Sequence, residues 1–153
     1  MNKLLALLAL SLLALPAAAA EPSVYPDWPH TTLLINSAKG AQRISTDIAD
    51  TPARQEQGLM RVRFMSADQG MIFPLDPPRT MTMWMKNTVM ALDMLFIDAK
   101  GRIACIRANA VPMSEAYISC PTPVRAVLEL NAGEAARRGI REGDTVVHSL
   151  FRP

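Results

Sequence analysis

The run from Met81 to Asp98, Met-Thr-Met-Trp-Met-Lys-Asn-Thr-Val-Met-Ala-Leu-Asp-Met-Leu-Phe-Ile-Asp, alternates apolar and other residues, breaks at Lys86-Asn87-Thr88, then resumes. A period of two is the signature of a half-buried strand, whereas a helix repeats at 3.6. The run therefore predicts strands on both sides of a turn, and it commits this part of the chain to a sheet. It also concentrates an indole, an ammonium, an amide and a hydroxyl at one bend.

The same alternation organises much of the chain. Thr31 to Ile35 and Gln42 to Ile48 read as a hairpin around Asn36-Ser-Ala-Lys-Gly40, with glycine at a left-handed position. Thr51-Pro52 has the hydroxyl and proline of a helix start, good formers follow through Gln57, and Gly58 interrupts. Further strands are expected at Met71 to Leu75, Arg79 to Lys86, Met90 to Ile97, Arg102 to Asn109, Val124 to Leu130 and Asp144 to Phe151. Between them lie a proline-rich loop from Ala110 to Pro123 and a short helix from Gly133 to Arg138 that ends at Gly139. This pattern predicts an α+β, β-rich single domain: a highly curved, mainly antiparallel sheet or small barrel with two short helices.

The first twenty residues stand apart. Lys3 is followed by the apolar run Leu4 to Leu15, then Pro16 and four alanines, the pattern of a secretory signal peptide cleaved after Ala20. That address implies a periplasmic or secreted protein with no membrane span once the leader is removed. Residues 21–30, with prolines at 22, 26 and 29, read as an extended N-terminal arm, and 31–153 as the domain. Of 16 basic residues Lys3 lies in the leader, so the rest is balanced to within a single charge against 14 acidic residues. Such a balance gives no electrostatic reason to bind nucleic acid. Cys105 and Cys120, the two cysteines of a chain addressed to an oxidising compartment, are candidates for a disulfide. Separate buried thiols are the alternative.

Three chemistries compete for the bend. The leading one is non-enzymatic: Trp84, Lys86, Asn87 and Thr88 form a candidate binding surface for a small anionic or carbonyl ligand, or for an envelope protein, by stacking and charged donors. Asp93 and Glu129, each set in an apolar strand, are candidate lining carboxylates. An isolated buried carboxylate is costly, so Asp93 should find a partner such as Lys86, Asn87 or a backbone amide. The second reading makes Asp93 or Glu129 the acid or base of a cell-envelope hydrolase. The third uses the strand face of Met81, Met83 and Met85, spaced roughly 6.6–6.8 Å apart, as soft ligands for Cu(I). Methionines are also adaptable core fillers, and the only imidazoles are His30 and His148. No complete catalytic motif is present, and no catalytic residue, metal ligand set or cofactor is assigned from residue types.

Gly58-Leu-Met60, Gly70-Met-Ile-Phe73, Trp84-Met-Lys-Asn-Thr88, Leu92-Asp-Met-Leu-Phe-Ile-Asp98, Val127-Leu-Glu-Leu130 and Gly139-Ile-Arg-Glu-Gly-Asp144 occur in that order. In this the chain resembles the DUF192 family, also called UPF0127, from about Leu33 to His148. The resemblance implies a compact β-rich domain, often exported in bacteria, without an established activity. Arg61 departs from it, because relatives commonly place an aromatic residue after G-L-M. A cysteine pair near the loop before V-L-E-L looks like a feature of only some members, which implies a stabilising staple.

Overall fold

The computed structural model describes residues 23–151; the leader and the cleavage point after Ala20 lie outside them. The first hairpin forms where the alternation placed it. Strand β1 (His30–Ser37) and β2 (Gly40–Ile48) pair antiparallel, and Gly40 turns the chain at φ 92°. Helix α1 (Pro52–Gln57) then starts as its cap dictates: the Thr51 side chain accepts from the Arg54 amide at 3.2 Å, and proline occupies the first turn. Gly58 ends it with its amide on the Arg54 carbonyl.

Strand β3 (Gln69–Arg79) pairs parallel with β2. A parallel neighbour cannot be reached by a tight turn and needs a crossover. Segment 49–68, carrying α1, is that crossover, and it lies over one face of the sheet. Next come β4 (Thr82–Met83), β5 (Leu92–Ile97), β6 (Ile103–Ala110), β7 (Ile118–Ser119) and β8 (Val124–Asn131). After them α2 (Glu134–Arg137), β9 (Thr145–Val147) and a 3-10 turn at Ser149–Phe151 complete the described chain. The main sheet runs β6-β5-β8-β3-β2-β1-β9, with β4 and β7 forming a separate pair. It curls until Thr145 bridges to Arg102, just ahead of β6, but this single bridge leaves the barrel unclosed.

Alternation sorts the side chains into two cores. Ile72, Leu95, Leu128, Leu33, Ile35 and Ile44 fill the inside of the curl. Met71, Phe73, Met94, Phe96 and Val127 face the other way, where the crossover and the Met83–Met85 segment cover them. Every residue of β5 is buried, as expected for a strand covered on both faces. The described part of the N-terminal arm is laid on this second core: Tyr25 stacks on Trp28 at 4.3 Å, and buried Asp47 accepts from the amides of Val24 and Tyr25.

Several boundaries differ from expectation. Arg79 to Lys86 is not one strand; Arg79 ends β3 opposite Val124, and beyond it only Thr82 and Met83 pair, with β7, inside the segment expected to be a loop. Nor do the two halves of the Met81–Asp98 run pair with each other, since β5 is flanked by β6 and β8. The alternation itself survives. Met83 and Met85 are buried while Thr82 and Trp84 face outward, because packing against the second core dictates side-chain direction even where ladder bonds are absent. The final strand is cut to three residues, and Gly133 caps α2 from outside at φ 84°. Cys105 and Cys120 are bonded, with Cα atoms 6.0 Å apart, and the bridge staples β6 to the chain just after β7.

Candidate functional site

The bend at Lys86-Asn87-Thr88 is a tight turn in which the Thr88 amide bonds the Met85 carbonyl at 3.0 Å and Asn87 takes φ 56°. Asparagine suits this left-handed position better than most side chains. A second turn, at the end of the G-L-M segment, packs against it: the Arg61 amide donates to the Asn87 carbonyl, and the Asn87 side-chain amide reaches the Met60 sulfur at 3.9 Å. On the other side the Met85 amide bonds Ser114 and the Met113 amide bonds Thr88. The bend is thus held between the crossover and the β6–β7 loop.

Between the bend, the end of α1 and the sheet lies a cavity of about 250 Å³. Trp84, Lys86, Thr88, Met81 and Met83 form one wall, Gln55 to Met60 another, and Phe73 and Glu129 belong to the sheet beneath. Glu129 reaches it by alternation: on β8 it shares a face with Val127, while Ala126, Leu128 and Leu130 fill the inside of the curl. On the other face of the sheet Gly70 lets β3 approach β8, because a Cβ there would stand 2.7 Å from the Glu129 backbone carbonyl oxygen.

Glu129 is 4% exposed and faces Met71 and Met94 across its two ladders. Among the described residues none hydrogen-bonds to its carboxyl, yet none of its oxygens is a fully enclosed polar atom lacking a partner. The carboxyl must therefore meet the cavity. Burial pushes its pKa up to about 8, since a low-dielectric setting disfavours the charged form. At neutral pH the group is mostly the acid, able both to donate and to accept a hydrogen bond. On the cavity wall the Lys86 ammonium lies 5.3 Å from the ring centroid of Trp84, a residue 41% exposed.

The fold thus gathers Trp84, Lys86, Thr88 and Glu129 around one recess. Asn87 lines an adjoining depression with Ala53, Glu56, Gln57 and Met60, to which Trp84 and Lys86 also contribute. Asp93 lies elsewhere. It points to the opposite face of β5, fully buried, and its oxygens accept from the amides of Asn109 at 2.9 Å and Ala135 at 3.0 Å. It ties β6 and α2 to β5. Met83 and Met85 are packed within the apolar cluster, with Met81 against it. Among the described residues no group of three or more His, Cys, Asp or Glu could hold a metal ion. Sequence reasoning gave no site role to Gly58, Leu59, Met60 or Phe73, which complete the walls. Their signal was the G-L-M and G-M-I-F segments, whose place beside the bend follows only from the crossover.

The chain belongs to the DUF192 family, described as an uncharacterized ACR, whose match spans residues 34–148. A crystal structure from Novosphingobium aromaticivorans DSM 12444, of a protein of unknown function, is 39% identical at a TM-score of 0.80, covering 86% of this chain and 94% of that one. Another from Sinorhizobium meliloti 1021, provisionally described as a transcription regulator, is 42% identical at a TM-score of 0.78, covering 80% and 96%. None of the curated proteins compared matches the chain. No helix among the described residues is long and apolar enough to cross a membrane, and the disulfide fits an oxidising compartment.

Proposed function

We propose that this is an exported binding domain whose recess above Glu129 receives a small molecule. The carrying observation is the Glu129 carboxyl itself: buried, without a protein partner among the described residues, and lining a cavity. Its carboxyl can donate and accept hydrogen bonds in its acid form, so a ligand entering the cavity meets a polar group that no protein group among the described residues engages. Trp84, Lys86 and Thr88 supply a stacking face, a cation and a hydroxyl around it. The cavity is smaller than the roughly 300–1,000 Å³ of drug-sized sites, which favours a compact ligand. Export accords with the leader and the disulfide.

Hydrolysis is less well supported. The elevated pKa of Glu129 suits a general acid, but the second carboxylate expected of an acid/base pair, Asp93, holds two backbone amides on the other face of β5. A thermal-shift screen of the purified protein against envelope sugars, peptides, nucleotides and small organic acids, with Trp84→Ala in parallel, tests the reading. A ligand that stabilises the wild type and not Trp84→Ala upholds it. Equal stabilisation of both by every active compound removes this recess as the site.

A further inference from the structure

We infer that the ligand of this recess is a small monocarboxylate with an apolar body, its head held by Lys86 and by hydrogen bonding from Glu129. The inference rests on the binding reading and narrows it to a class. Two charged groups stand on the wall, Lys86 and Glu56, and Glu56 belongs to an exposed position of α1 at the rim. The groups facing Glu129 across the sheet, Met71 and Met94, are uncharged. Among the described residues the only cation lining the recess is therefore Lys86, set on the same wall as Thr88.

A carboxylic acid and a carboxylate can share one proton in a short, charge-assisted hydrogen bond. Glu129, mostly protonated at neutral pH because of its burial, can donate to a ligand carboxylate while Lys86, on the wall of the same cavity, offsets the charge. Phe73, Met81 and Met83 offer an apolar wall to the rest of the molecule. A cationic ligand would meet like charge at Lys86, and a neutral one would leave the ammonium unused.

This arrangement links binding to pH. Once Glu129 ionises, its charge repels a bound carboxylate and the donated hydrogen bond is lost. Release on the alkaline side follows, and a cationic ligand would show the opposite sign.

The test uses the mature protein with methyl-labelled methionine, titrated by NMR with hexanoate, hexanamide and hexylammonium at pH 7 and pH 9. Hexanoate is expected to shift the Met81 and Met83 methyl signals and to bind tightest of the three. Its affinity should fall about tenfold between pH 7 and pH 9, following the protonated fraction of Glu129. Lys86→Met should weaken it by about tenfold at pH 7, whereas Glu129→Gln, whose amide still donates, should bind with a flat pH profile. The wild-type profile decides the matter even where a variant folds poorly. Hexanamide or hexylammonium binding more tightly in the recess overturns the carboxylate assignment and leaves the binding reading intact. No shift with any of the three also overturns the assignment. Hexanoate shifting the same signals equally in Trp84→Ala overturns both.

Discussion

The Arg61 amide donates to the Asn87 carbonyl at 2.8 Å, and both residues adopt the left-handed conformation, at φ 64° and 56°. Two strained turns from distant parts of the chain are thereby locked together, and they frame the recess. For arginine the conformation costs on the order of 1–2 kcal/mol, which glycine avoids. Arg61→Gly should stabilise the protein by up to about 1 kcal/mol once the added freedom of its unfolded chain is counted. Asn87→Val should destabilise it by about 1–2 kcal/mol. Urea denaturation measures both; a loss of stability in Arg61→Gly would show that the turn is not strained at that residue.

Asp93 is expected to matter for folding and not for binding. Alanine there would orphan the Asn109 and Ala135 amides, at about 1–3 kcal/mol each. A total loss of about 2–6 kcal/mol in chemical denaturation is expected, with asparagine intermediate because only one of its side-chain atoms accepts from an N–H. The folded fraction of either variant should bind ligand as the wild type does.

Glu129 predicts the slope of stability with pH. Its folded pKa is raised, so the unfolded chain releases the proton first, near 4.5, and the folded one only near 8. Stability is therefore full below pH 4.5 and declines as pH rises toward 8, by up to about 1.4 kcal/mol per pH unit, then levels. Glu129→Gln should remove that component of the slope. Parallel melting curves from pH 5 to pH 8 that fall equally in both proteins would contradict the assignment.

Replacing Cys105 and Cys120 together by alanine should cost about 3 kcal/mol on the chain-entropy account, since the bridge closes a short loop. Loss of ligand affinity should be small by comparison, because the bridge staples β6 to the chain after β7 and does not line the recess.

What could be read from the residues was what local rules control. Thr51-Pro52, Gly58, Gly40 and the alternation in β5 and β8 carry their own conformational reasons, and Asp93 in an apolar strand announced that it needed a partner. Cys105 and Cys120 suggested their bond through the compartment implied by the leader. Pairing between distant segments was not legible. Nothing near Gln69 says that β3 runs parallel to β2, nor near Ile118 that two residues of a proline-rich loop will pair with Thr82 and Met83. The site divides along the same line. Trp84, Lys86 and Thr88 stood out as neighbours, and Glu129 as a misplaced acid. That Glu129 joins them while Asp93 does not depends on which face each strand presents, a choice made by the crossover over the sheet.

The central claim is that Glu129 is uncharged at neutral pH and without a partner among the described residues. A carbon-13 NMR titration of its side-chain carboxyl, assigned by comparison with Glu129→Gln, measures this directly. Ionisation near pH 8 is the expected result; a midpoint near the ordinary 4.5 would mean that the carboxyl is solvated or paired, and the account of the site would fall.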